Sequence, residues 1–164
     1  MFDVLNGLRV VEVASFIAAP IAGLHLAQLG AEVIRVDPIR NGHDHDRWPL
    51  AEDGTSLYWE GLNKGKTTIA VDLTQDDGKN LVRDLIAETG ILLTNYPPNS
   101  FLNHAALAAR RQDQITLSVM GWADGRTAVD YTVNAAMGLP YMTGPAECDG
   151  PVNHVLPAWD LISG

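Results

Sequence analysis

Near its start the chain carries two short β-branched runs with a helix-like stretch between them. No other feature constrains its fold as strongly. Leu8-Arg9-Val10-Val11-Glu12-Val13 reads as one buried strand and Glu32-Val33-Ile34-Arg35-Val36 as a second. Between them, Pro20 suits the first turn of a helix, where its missing N–H is not needed. Gly30 is a natural left-handed stop after a helix reaching about Leu29. Strand, helix and strand in so short a span predict a parallel pair joined by a right-handed crossover.

The alternation continues downstream. Residues 67–73 read as a third strand, 91–94 as a fourth ended by Pro97-Pro98, and 115–119 as a fifth. Thr74 is placed to cap the helix that follows the third strand, with Asp77 at capping-box spacing. Leu81, Val82, Leu85 and Ile86 form that helix's apolar face, and residues 101–111 read as another helix. Residues 39–65 read as a long irregular loop packed by Trp48, Tyr58 and Trp59. After Gly121 glycine, proline and small residues dominate, with a short helical stretch at 133–137. The expected fold class is α/β, a Rossmann-like, mostly parallel sheet with flanking helices. The chain stops at Ser163-Gly164 directly after an apolar segment, and the fifth strand has no closing helix. Both features predict a part of a larger protein.

Composition narrows the function classes. The 164 residues are 46% hydrophobic, enough for one domain with a core. The formal net charge of −9 repels nucleic acid and anionic membrane, so neither is an expected partner. A single cysteine, Cys148, in a polar loop excludes an intrachain disulfide framework. No stretch approaches the roughly 18 apolar residues of a membrane span, and no basic-plus-apolar leader opens the chain. The expected setting is cytoplasmic.

Four constellations are candidates for chemistry. The first strand–helix turn, Ala14-Ser15-Phe16-Ile17-Ala18-Ala19-Pro20, has no glycine before Gly23, which argues against a dinucleotide pyrophosphate; Asp37 then reads as a strand-end cap. His43-Asp44-His45-Asp46 has the look of metal ligands or of a solvated loop, and no second cluster completes a site, so no metal is expected. Asn63-Lys64-Gly65-Lys66 is a cationic spot in an acidic chain, either an anchor for phosphates or a solvated turn. Asp160 stands in the apolar run Pro157-Ala158-Trp159-Asp160-Leu161-Ile162. A carboxylate there is costly unless paired or used, and desolvation strengthens it as a nucleophile; a helix N-cap is the alternative.

At these residues the sequence resembles the class III CoA-transferases. Leu5-Asn6-Gly7-Leu8-Arg9-Val10-Val11-Glu12 is similar to the family's opening strand, and residues 18–20 and 26–38 to its next block. Leu62-Asn63-Lys64-Gly65-Lys66-Thr67 and Thr94-Asn95-Tyr96-Pro97-Pro98 resemble its third and fourth segments. Asp130-Tyr131, Gly138-Leu139, Thr143-Gly144 and Asp160 with Gly164 follow in the family's order. The similarity is greatest to the branch that moves CoA between two carboxyls of one molecule.

The resemblance implies an acyl-CoA and a carboxylate as substrates, with coenzyme A entering as the substrate thioester. It implies that Asp160 is the catalytic carboxylate, passing through a mixed anhydride and an aspartyl-CoA thioester. Asn63, Lys64, Lys66 and Asn95 are the candidate CoA contacts, the lysines for phosphate and Asn95 for the adenine or ribose edge. Backbone N–H groups near Gly138 or Gly164 are candidate oxyanion donors. It further implies that residues 1–164 are the N-terminal portion of the large domain, lacking a small domain and a C-terminal return segment. The full-length parent is expected to be an interlocked homodimer and this portion alone inactive; CoA or nucleotide binding without turnover is the alternative for it.

There are departures from the pattern. Ile17, Asn103 and Met120 stand where the transferase branch often has Gln, a basic residue and Lys. Val129 stands where the racemase branch has a catalytic His, which argues against racemisation.

Overall fold

The computed structural model describes residues 3–39, 42 and 44–164. Five strands form one sheet: β1 (Arg9–Val13), β2 (Glu32–Pro38), β3 (Thr67–Val71), β4 (Ile91–Thr94) and β5 (Ile115–Ser118). Their order is β3-β2-β1-β4-β5, and every neighbouring pair is parallel. The crossovers carry α1 (Ala18–Gln28), α2 (Leu57–Leu62), α3 (Asp76–Thr89) and α4 (His104–Ala108). Beyond β5 come α5 (Asp130–Ala136), a 3-10 turn (Leu139–Tyr141) and α6 (Ala158–Ser163).

The two-residue period of the strands sorts the core into two layers. Val11, Val13, Val36, Val71 and Leu92 face Val82 and Ile86 of α3 and Leu107 of α4. Val10, Val33 and Leu93 face the other way, against Ala19 and Ala27 of α1. The same alternation puts Glu12, Arg35 and Asp37 on the α1 side, where all three are buried. Small residues let α1 lie close to the sheet. Gly23 is the extreme case: a Cβ there would come within 1.8 Å of a Glu12 carboxylate oxygen.

Several boundaries differ from expectation for local reasons. β3 ends at Val71 rather than Leu73, because the Asp72 carboxylate accepts the Thr74 N–H (3.0 Å) and hydroxyl (2.5 Å). Thr74 is therefore not the helix cap; α3 starts after Gln75, with no side-chain cap. α4 is shorter than the alanine-rich stretch suggested, and Asn103 caps it by accepting the Ala106 N–H. The 39–65 segment contains a helix, α2, capped by Ser56 Oγ, which accepts the Trp59 N–H (3.1 Å). Trp48 does not pack this segment, since it is 82% exposed, whereas Tyr58 and Trp59 are partly buried.

Candidate active site

At the carboxyl ends of β1, β4 and β5 the chain leaves the sheet through residues 14–17, Asn95 and residues 119–121. That is where parallel α/β sheets place ligands. Ser15, Phe16 and Ile17, Asn95 and residues 119–121, with Arg47, Asp130, Trp159 and Asp160, line a cavity of about 520 Å³.

The floor is the loop after β1. Phe16 adopts a left-handed φ of 67°, which for a side chain of this size costs about 1–3 kcal/mol. Two clamps hold it there. Asp44 accepts the Phe16 N–H on both carboxylate oxygens (3.1 and 3.3 Å). Asn95 accepts the Ser15 N–H (3.2 Å) and donates to the Ser15 carbonyl (2.8 Å).

Behind the floor lies a buried ionic cluster. Glu12 and Arg35 are direct register partners on β1 and β2. The Arg35 guanidinium donates to Glu12 and Asp37 (2.8 Å each), Asn63 (3.1 Å) and Asp44 (3.2 Å). Lys66 Nζ donates to the Pro20 carbonyl (2.8 Å) and Asn63 Oδ1 (2.9 Å), and lies 2.8 Å from Glu12 Oε2. Burial pushes the Glu12 carboxyl up, against the pull of Lys66 and Arg35, and pushes the Lys66 ammonium down, against the pull of Glu12. The cluster ties β1, β2, the start of α1 and the Phe16 loop into one rigid body.

Asp160 is the third residue of α6 and does not cap it. The cap comes from Asp130, the first residue of α5, whose Oδ2 accepts the Trp159 N–H (2.5 Å) and the Asp160 N–H (3.0 Å). The other oxygen, Asp130 Oδ1, is buried and without a partner among the described residues. The Trp159 indole donates to Asn134 (3.3 Å), a second tie between α5 and α6. Gly164 seats α6 on α1, because a Cβ there would lie 2.3 Å from the Ala18 carbonyl. Burial raises the Asp160 pKa above the ordinary carboxylate value; the nearby Asp130 charge raises it further and Arg47 opposes both. Such a group has the environment of a working carboxylate.

The expected site residues fall into two sets. Asp160 and Asn95 line the cavity; Asn63, Lys64 and Lys66 do not. Lys64 is exposed, on the turn after α2. Lys66 reaches the first turn of α1, but its ammonium is fully buried and engaged by three groups. In this arrangement it has no free donor for a phosphate. The Gly164 and Gly138 N–H groups donate to the Asp160 and Ala135 carbonyls (3.3 and 3.1 Å), so neither is free for an oxyanion.

In the 43–46 run, His43 lies outside the described residues. Asp44 is neither solvated nor a metal ligand: it is buried and bonded to Arg35 and Phe16. His45 contacts Asp37 (3.2 Å) and stacks on Trp59. Among the described residues no three His, Cys, Asp or Glu side chains are grouped to hold a metal. Arg47 and the capping role of Asp130 were not read from the sequence. The available signals were a lone cation in an acidic run and an acid opening a helix.

Known proteins resemble the chain in sequence and in fold. A family model described as CoA-transferase family III matches residues 5–164. The 2-methylfumaryl-CoA isomerase of Chloroflexus aurantiacus is 49% identical over the whole chain, which covers 41% of that enzyme. The succinate–glutarate CoA-transferase of Agrobacterium fabrum is 32% identical over 98% of the chain and 44% of its own length. The chain thus spans about two-fifths of the length of these relatives. The crystal structure of a CAIB/BAIF family protein from Brucella suis superposes with a TM-score of 0.85 and 27% identity, over 95% of this chain and 44% of that one. A parallel sheet whose strand ends open on a half-buried aspartate, and a family match running to the last residue, lead to one conclusion: the chain belongs to CoA-transferase family III.

Proposed function

We propose that this chain supplies the nucleophile-bearing part of an enzyme that moves CoA between carboxylates, with Asp160 as the covalent carrier. The observation that carries this reading is a half-buried carboxylate of raised pKa facing a cavity of about 520 Å³ at the sheet's carboxyl edge. In the first step an Asp160 oxygen attacks the thioester carbonyl carbon. The C–S bond breaks, CoA leaves as thiolate, and a mixed anhydride forms. The thiolate then attacks the aspartyl carbonyl, releasing the donor carboxylate and leaving an aspartyl-CoA thioester. The acceptor carboxylate repeats the two steps in reverse and restores Asp160. Dividing one difficult exchange into four acyl transfers is covalent catalysis.

The relative that is 49% identical favours 2-methylfumaryl-CoA as the thioester, with donor and acceptor carboxylates on one molecule. In this reading Lys64, exposed beside the buried cluster, meets a CoA phosphate. Asn63, Lys66 and Asn95 act by holding the loops that carry the ligand. The full-length protein is proposed to be an interlocked homodimer in the cytoplasm. Among the described residues no helix is long and apolar enough to cross a membrane. The 164-residue chain alone is proposed to be inactive, because it spans only part of its relatives.

Asp160→Asn in the full-length protein tests the carrier role. It keeps the shape and removes the nucleophile, so turnover should drop by several orders of magnitude while CoA-ester binding persists. Hydroxylamine should trap an aspartyl hydroxamate at residue 160 in the parent only. Near-parental exchange by the variant refutes the carrier role. Thioester binding with no adduct in the parent supports CoA binding without turnover instead.

A further inference from the structure

Among the described residues, Arg47 is the one cation whose side chain lines the Asp160 cavity. It shares that cavity with two carboxylates, Asp130 and Asp160, in a chain of net charge −9. A second carboxylate entering on a substrate would meet repulsion from both unless a cation received it.

The arginine is held ready for that task. Its guanidinium carbon sits 4.3 Å from the centre of the Phe16 ring and 5.0 Å from that of Tyr58, so two aromatic faces fix the planar group. Its neighbours draw on its charge only in part. Burial pushes the Tyr58 hydroxyl up to about 12, so that group stays neutral. Asp44 is the carboxylate paired with it, at 4.0 Å from Arg47 Nε. That carboxylate is already committed to Arg35 (3.2 Å) and to the Phe16 N–H (3.1 Å). The guanidinium is thus a steered but under-used fork, and forks match carboxylates by two parallel hydrogen bonds. The phosphates of CoA lie a whole pantetheine arm from the thioester, whereas a group in the Asp160 cavity meets the acyl end.

Resting on the carrier role of Asp160, we propose that Arg47 is a specificity-determining residue that grips the free carboxylate of a dicarboxylic acyl-CoA. It thereby selects thioesters of dicarboxylic acids over those of monocarboxylic acids, and in an intramolecular transfer it steers the acceptor carboxylate.

The test compares succinyl-CoA with butyryl-CoA, which differ in a terminal carboxylate against a methyl, in hydroxylamine-trapped acyl transfer by the full-length protein. Arg47→Met should lower kcat/KM for succinyl-CoA roughly 10- to 100-fold, the loss of charge-assisted hydrogen bonds, and change butyryl-CoA less than about threefold. Arg47→Lys keeps charge without the fork and should fall between. An equal loss with both thioesters assigns Arg47 to CoA phosphate or to structure and overturns the proposal, as does no loss with either. Should the Met variant fail to fold, the ratio in Arg47→Lys decides by the same criterion. A parent that forms no Asp160 adduct with either thioester refutes the carrier role itself. An adduct with an unchanged preference refutes only the role of Arg47.

Discussion

Gly23→Ala places a methyl group against the buried ion pair of Glu12 and Lys66. In an ordinary helix interior this change gains about 1 kcal/mol, because alanine loses less backbone entropy than glycine. Gly23 sits within α1, so propensity alone predicts a stabler protein. The structure predicts the reverse. The new Cβ would stand 1.8 Å from Glu12 Oε2, 3.0 Å from Glu12 Cδ and 3.2 Å from Lys66 Nζ. Neither side chain has room to retreat, since both are fully buried, and Glu12 is also held by Arg35 at 2.8 Å. Separating such a pair leaves uncompensated charge in the interior, at about 3–5 kcal/mol. The net expectation is a loss of about 2–4 kcal/mol, read as a fall of roughly 1–2 M in the urea midpoint. Equilibrium urea unfolding followed by far-UV circular dichroism measures it. Glu12→Asp, which shortens the acid, should recover part of the loss when combined with Gly23→Ala, and that coupling distinguishes a local clash from a general weakening of α1. A midpoint that stays put or rises refutes the reasoning, for it would mean the pair relocates at little cost.

The pH profile of acyl transfer tests the site's electrostatics. On the proposed carrier role Asp160 must be ionised to attack, and its pKa is raised, so kcat/KM should fall as pH drops through a value above the usual carboxylate range near 4. Asp130→Asn removes a charge that raises Asp160 and should move this acid limb to lower pH, whereas Arg47→Met removes a charge that lowers it and should move the limb up. A limb that ignores both variants belongs to another group. Asn95→Ala deletes both hydrogen bonds that clamp Ser15 and should cost about 1–3 kcal/mol in thermal or urea unfolding, with a higher KM for the thioester. Unchanged stability and KM would show that Asp44 alone holds the Phe16 loop.

The sheet was legible because its strands are short β-branched runs in a buried parallel setting, where apolar content dominates. Element ends were less so, because they depend on single side-chain bonds. The Asp72 carboxylate that captures Thr74 and the Ser56 hydroxyl that starts α2 each compete with several equivalent residues nearby. The charges in the strands posed a different problem. Glu12 and Arg35 were visible in apolar runs, yet their pairing follows only from a register linking residues 23 apart.

Lys64 and Lys66 show most clearly what separates legible from hidden. Two lysines about one glycine look alike in sequence, and both read as phosphate anchors. In the fold one remains in solvent, and the other turns inward to Glu12, beneath a helix that only Gly23 allows to come so near. What distinguishes them is the face of β1 on which Glu12 falls, a parity set by strand period rather than by any residue near the lysines. Asp160 was legible for the opposite reason. Its neighbours in sequence, Trp159 and Leu161, already make it a carboxylate in an apolar run, so its partly desolvated setting was readable without knowledge of distant partners. Asp130, which caps α6 and raises the Asp160 pKa, is 30 residues away and needed the fold to be found. The function proposed for this site therefore rests on two layers: a carboxylate recognisable by its local surroundings, and a set of remote charges, Asp130 and Arg47, that tune it and are visible only once α5, α6 and the Phe16 loop are brought together.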